Sequence, residues 1–112
     1  MVKKKSKKSH SKIKVVLTKI STGKAQEKHS FVLHDGRKLK SVYELIDELE
    51  TMNDETFGEY VTDFKNDFSN WIRDVFENKP LSEELHRIKN RIDTQRAIMK
   101  HLVRDFKKLV KN

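Results

Sequence analysis

Apolar residues along this chain recur first at a strand period and then, from Val42 onward, at a helical one. Ser30-Phe31-Val32-Leu33-His34 and Arg37-Lys38-Leu39-Lys40 are short apolar-bearing runs separated by Asp35-Gly36. Asp-Gly suits a turn that needs positive φ, so the pair predicts a small β-hairpin with Phe31, Leu33 and Leu39 facing inward. Ser41 with Glu44 three residues on reads as a capping box. The helix it opens carries Val42, Leu45, Ile46 and Leu49 on one face, with Asp47, Glu48 and Glu50 outward. Asn53 is placed to cap a second short helix through Phe57 and Val61, with Asp54 and Glu55 in its first turn. Asn66 or Asp67 caps a third, in which Phe68, Trp71, Ile72 and Val75 share a face. Pro80 follows the loop Glu77-Asn78-Lys79 and suits the first turn of the next helix.

The final helix is read as the longest. Leu85, Ile88 and Ile92 continue into Met99, Leu102, Phe106 and Leu109. Positions 88, 92, 95, 99, 102, 106 and 109 alternate spacings of four and three, a heptad pattern with Gln95 as its polar member. Packing on its own domain is the plainer reading of that stripe. A homodimer through the helix, with Gln95 meeting its symmetry mate, is the other. The fold class expected is mainly α with a minor β part: an N-terminal β-hairpin followed by a compact four- to five-helix bundle with a long C-terminal helix.

Charge changes the picture at both ends. The chain has 112 residues, 25 Lys and Arg against 17 Asp and Glu, and a net charge of +8. Seven lysines (Lys3, Lys4, Lys5, Lys7, Lys8, Lys12, Lys14) fall within residues 1–14, which hold no acid. Residues 1–14 therefore read as a disordered lysine-rich tail, too poor in apolar area to offset chain entropy. Residues 15–112 read as a single mostly helical domain, with Lys14 to Ile20 offering a short β-branched strand. Within that domain residues 41–84 carry three bases and thirteen acids, and residues 85–112 carry nine bases and two acids. An acidic centre lies between basic ends.

No cysteine is present, so disulfides, thiolate chemistry and Cys-ligated zinc are ruled out. No apolar run approaches the roughly 20 residues of a membrane span. A cytoplasmic protein is expected. The five histidines show no ligand spacing, and no metal or other cofactor is expected. His34 is placed at the hairpin and His101 on the solvent side of the last helix. Gly-x-Ser-x-Gly and Gly-rich phosphate loops are absent, so an enzyme is not expected. Asp63, Asp67 and Asp74 around Trp71 are the one carboxylate group that could serve acid–base chemistry, and helix capping and ion pairing explain them more simply.

Residues Phe31 to about Leu85 also resemble a small uncharacterised prokaryotic domain family, frequent in archaea. The matching pieces are Phe31 to Arg37, Leu39-Lys40-Ser41, Glu44-Leu45, Leu49 to Met52 and Asp54 to Phe57. The most distinctive is Asn66-Asp67-Phe68-Ser69-Asn70-Trp71-Ile72-Arg73-Asp74-Val75-Phe76, an N-D-F-x-N-W-I-R-D-V-F signature. Relatives in that family often carry His where this chain has Tyr60. The resemblance implies a helical fold and no biochemical activity, and it leaves the lysine tail outside.

Polyanions are the expected partners of such a chain. The tail suits non-specific contact with DNA or RNA through counterion release. The last helix adds Arg96, Lys100, Arg104, Lys107 and Lys108 opposite its apolar stripe. The alternative is a protein–protein interaction or regulatory module in which Asn66, Asp67, Trp71, Arg73 and Asp74 meet a partner.

Overall fold

The computed structural model describes residues 25–110. The seven tail lysines and the strand expected at Lys14 to Ile20 lie outside them. A single 3-10 turn, Glu27–His29, precedes strands β1 (Phe31–Val32) and β2 (Lys38–Leu39). Five helices follow: α1 (Val42–Thr51), α2 (Asp54–Tyr60), α3 (Asp67–Phe76), α4 (Lys79–His86) and α5 (Arg91–Val110). The described chain is mainly helical with one short antiparallel hairpin, as the apolar pattern predicts.

Phe31 pairs with Leu39 across the hairpin, and both are buried with Leu33. The turn is longer than a two-residue Asp-Gly turn. Gly36 N–H donates to the Leu33 carbonyl (2.8 Å) and Leu33 N–H to that of Arg37 (2.8 Å). Positive φ is needed only at Gly36 (+94°), the pattern of a three-residue loop closed by a glycine. Arg37 holds this turn against α1 through a two-pronged bond to Glu48, at 2.8 and 2.7 Å.

Side-chain caps start the first four helices. Ser41 accepts from Glu44 N–H, Asn53 from Thr56 N–H, Asn66 from Ser69 N–H and Asn78 from Leu81 N–H. Glu44 reaches back to Lys40 N–H (2.9 Å) rather than to Ser41, so the capping box is shifted by one residue. The helix α3 ends on Glu77 in the left-handed region, φ 56°, where a Cβ is strained. Replacing Glu77 by glycine is expected to stabilise the fold by about 0.5–1 kcal/mol. Thermal unfolding should shift upward by roughly 3–6 °C.

The core gathers around Phe31. Its ring lies 5.0 Å from Phe68, 5.6 Å from Tyr60 and 5.6 Å from Trp71. The helices α3 and α4 pack closely where two buried serines face each other. Each hydroxyl donates to the other's carbonyl, at 2.7 and 2.9 Å. The helix α5 lies across α1 and α4.

The long final helix expected from Leu85 onward is divided. Helix α4 stops at His86 and α5 begins at Arg91. Asn90 causes the restart: its Oδ1 accepts from Asp93 N–H (2.8 Å), a cap that the uninterrupted apolar pattern concealed. Asn66 secures the stop, since its Nδ2 donates to the Leu85 carbonyl (2.8 Å) and, at 3.5 Å, to that of Ile88.

Candidate nucleic-acid interface

Helix α5 turns three chemically distinct faces to its surroundings. Thr94, Ala97, Ile98, His101 and Leu102 are buried against α1 and α4. His101 is thus an inward residue, a correction to its expected solvent position, and its Nε2 lies 2.8 Å from Glu84 Oε1. Gln95 is likewise spent within the chain, its Nε2 donating at 3.1 Å to both the Ile46 carbonyl and Glu50. It has no amide donor to spare for pairing with a symmetry mate.

The second face is cationic. Arg96, Lys100, Arg104, Lys107 and Lys108 are all exposed. Spacings of three, four and eight residues place them along one side of the helix. Among the described residues none of the five has a carboxylate within ion-pair distance. Lys100, Arg104 and Lys107 with Met99 and Val103 line an open groove of about 420 Å³.

Most cations elsewhere are engaged, although Lys28, Lys79 and Arg87 are likewise exposed without an ion pair among the described residues. Glu27 sits between Lys38 (2.8 Å) and Lys40 (2.7 Å), and their hydrogen bonds bring its carboxyl down to about 2. Arg37 is held above its ordinary value by Glu48 first and Asp35 second. Arg73 pairs with Asp74 at 2.9 Å, Lys65 with Asp67 at 2.9 Å, and Arg91 with Asp54 at 3.3 Å. The α5 ridge differs in gathering five such cations along one helix.

A second basic surface has no counterpart in the sequence reading. Arg73, Lys79, His86 and Arg87, with Glu83 as the one acid, line a groove of about 550 Å³ between α3 and α4. Its members come from separate elements, so no local pattern announces it.

The group around Trp71 divides on burial. Trp71 is 7% exposed, its Nε1 donates to the His29 carbonyl at 2.8 Å, and its ring packs on Phe31 and Phe76. Asn66 is buried as the cap of α3. Both belong to the interior, so the contact surface expected around Trp71 lacks its aromatic centre. Asp67, Arg73 and Asp74 remain at the surface as local ion pairs. Asp63 is paired separately with Lys89 at 3.6 Å, so each carboxylate of the Asp63, Asp67 and Asp74 group has its own cation. Among the described residues no three His, Asp or Glu side chains are grouped to hold a metal ion. No described helix is long and apolar enough to cross a membrane.

No protein-family model, curated protein or solved structure matches the chain.

Proposed function

We propose that this is a non-enzymatic, cytoplasmic accessory protein that binds DNA or RNA without sequence preference. The observation that carries the reading is the segregation of charge on α5. Seven bases in the folded part are paired with carboxylates and three more, Lys28, Lys79 and Arg87, are exposed on other elements, whereas the five of the ridge are exposed, unpaired among the described residues and aligned on one helix. Unpaired, aligned cations neutralise phosphates at little desolvation cost and release counterions, a contact blind to base sequence. The seven tail lysines add mobile-ion chemistry of the same kind from the sequence alone. A base-stacking platform is not part of this reading: Phe31, Phe57, Tyr60, Phe68 and Trp71 are buried, and the exposed aromatics Phe64, Tyr43 and Phe106 stand on three different segments rather than in a row along the cations.

Reversing three ridge charges (Arg104→Glu, Lys107→Glu, Lys108→Glu) tests this. The side chains are exposed, so folding is expected to survive. The dependence of log affinity on log salt for a random duplex should become shallower by about 2–3. Fluorescence anisotropy over a salt series reads that slope. An unchanged slope removes the ridge from the interface.

A further inference from the structure

The third face of α5 is apolar and uncovered. Ile92, Met99, Val103 and Phe106 are 54%, 48%, 53% and 38% exposed, and Val110 is exposed beside them. Positions 99, 103, 106 and 110 alternate spacings of four and three, and Ile92 lies seven before Met99. This is a heptad seam, with Arg96 in the missing position. It sits one residue round from the stripe expected from sequence, because Leu102 and Ile98 are consumed by the core. Beside it Tyr43, Ile46 and Asp47 of α1 join Met99, Leu102, Val103 and Phe106 around a mainly apolar groove of about 450 Å³. A continuous apolar surface of this kind is uncommon on a chain that works alone.

We infer that a second copy of this chain covers the seam, with the two α5 helices parallel about a two-fold axis that runs along them. The charges flanking the seam select the copy and its direction. On one side runs the cationic ridge. On the other runs the outward row of α1, Tyr43, Asp47 and Glu50, followed by Asp54, all exposed. The bond of Gln95 to Glu50 sets Glu50 level with the start of α5. The contact of Asp47 with the groove sets it level with Met99.

A two-fold axis along α5 carries each flank onto the opposite flank of the mate. Lys100 of one copy then meets Asp47 of the other at a matching height, while Arg96, seven residues before Val103, stands beside its own mate at the edge of the seam within reach of the mate's Glu50, the one like-charge layer of the parallel arrangement. An axis across the helices makes them antiparallel and sets ridge against ridge, where like charges repel. Arg104 and Lys108 lie further round the helix, outside this contact, and stay free for phosphates. The inference does not rest on nucleic-acid binding and is tested without nucleic acid.

The test is analytical ultracentrifugation of the full chain at about 100 µM, where a micromolar dimer is populated. A dimer is expected. Val103→Glu should raise its dissociation constant at least about 100-fold by placing two carboxylates at the centre of the seam. Circular dichroism should show helix content unchanged, since Val103 is exposed. A wild-type monomer at that concentration overturns the proposal, whether the seam is covered by the chain's own leading segment or by a different protein. A dimer indifferent to Val103→Glu also overturns it. Direction is read separately with Ile92→Cys in this cysteine-free chain. Only the parallel arrangement brings residue 92 to its own mate, so oxidation should give a covalent dimer. Failure of Ile92→Cys to cross-link in a dimeric sample overturns the parallel axis.

Discussion

Replacing Asn66 by aspartate is expected to destabilise the fold more than replacing it by alanine, although aspartate is as good a helix cap as asparagine. Asn66 uses both ends of its amide. The oxygen accepts from Ser69 N–H at 3.0 Å and opens α3. The nitrogen donates at 2.8 Å to the Leu85 carbonyl and at 3.5 Å to that of Ile88, where α4 ends. Alanine loses the cap and one donor to the Leu85 carbonyl, which still accepts from Ile88 N–H at 3.0 Å, a cost of about 1–2 kcal/mol. Aspartate keeps the cap but turns a carboxylate oxygen toward two carbonyls at a site only 2% exposed, and a buried uncompensated charge costs about 3–5 kcal/mol.

The difference should depend on pH in a definite direction. Burial raises the folded-state pKa of the introduced carboxyl above its unfolded value near about 3.9. The group therefore favours folding below that value, where its protonated oxygen can donate to Leu85. That advantage is lost as pH rises through the raised folded pKa. Urea unfolding of Asn66→Asp and Asn66→Ala at pH 4 and pH 7 checks this. Equal stability of the two at both pH values would mean that the amide nitrogen does not hold the two helices together.

That double use explains what the sequence does and does not disclose. Caps at Ser41, Asn53 and Asn66 are legible because they act within three residues. The inward face of α3 is legible for the same reason, since Phe68, Trp71, Ile72 and Val75 share one helical side. Long-range partners leave no local trace. The acceptor of Trp71 Nε1 is His29, and the acceptors of Gln95 Nε2 are Ile46 and Glu50. Trp71 therefore reads equally as core or contact surface until the fold is known, and Gln95 reads as an available interhelical pair.

The break at residues 87–90 was hidden for a different reason. Ile88 and Ile92 keep the apolar rhythm going across a gap whose only signal is Asn90 three residues before Asp93. The basic ridge of α5 was legible because its residues stand off the apolar arc at helical spacing. The separate apolar seam was not, because the division of one hydrophobic stripe into a buried half and an exposed half depends on where α1 lies.

Neutralising the tail should weaken nucleic-acid binding more than removing the ridge charges does. Replacing Lys3, Lys4, Lys5, Lys7, Lys8, Lys12 and Lys14 by glutamine keeps chain length and removes all seven charges of residues 1–14. Each phosphate neutralised contributes about −0.9 to the slope of log affinity against log salt on duplex DNA. The slope should therefore become shallower by about 4–6, and affinity for a random duplex at about 50 mM salt should fall at least about 100-fold.

The ridge and the tail are separable because they enter that slope independently. The tail variant retains the ridge increment of about 2–3, and the ridge variant retains the tail increment. Thermal unfolding serves as the control. If the tail lysines were spent on the acidic stretch 41–84 of the same chain, their removal would lower the melting temperature and barely change the slope. A large slope change at constant melting temperature is the outcome expected of cations that reach outward. Single-stranded RNA of matched length should show the smaller increment of about −0.7 per phosphate, with no preference among base compositions beyond a few-fold.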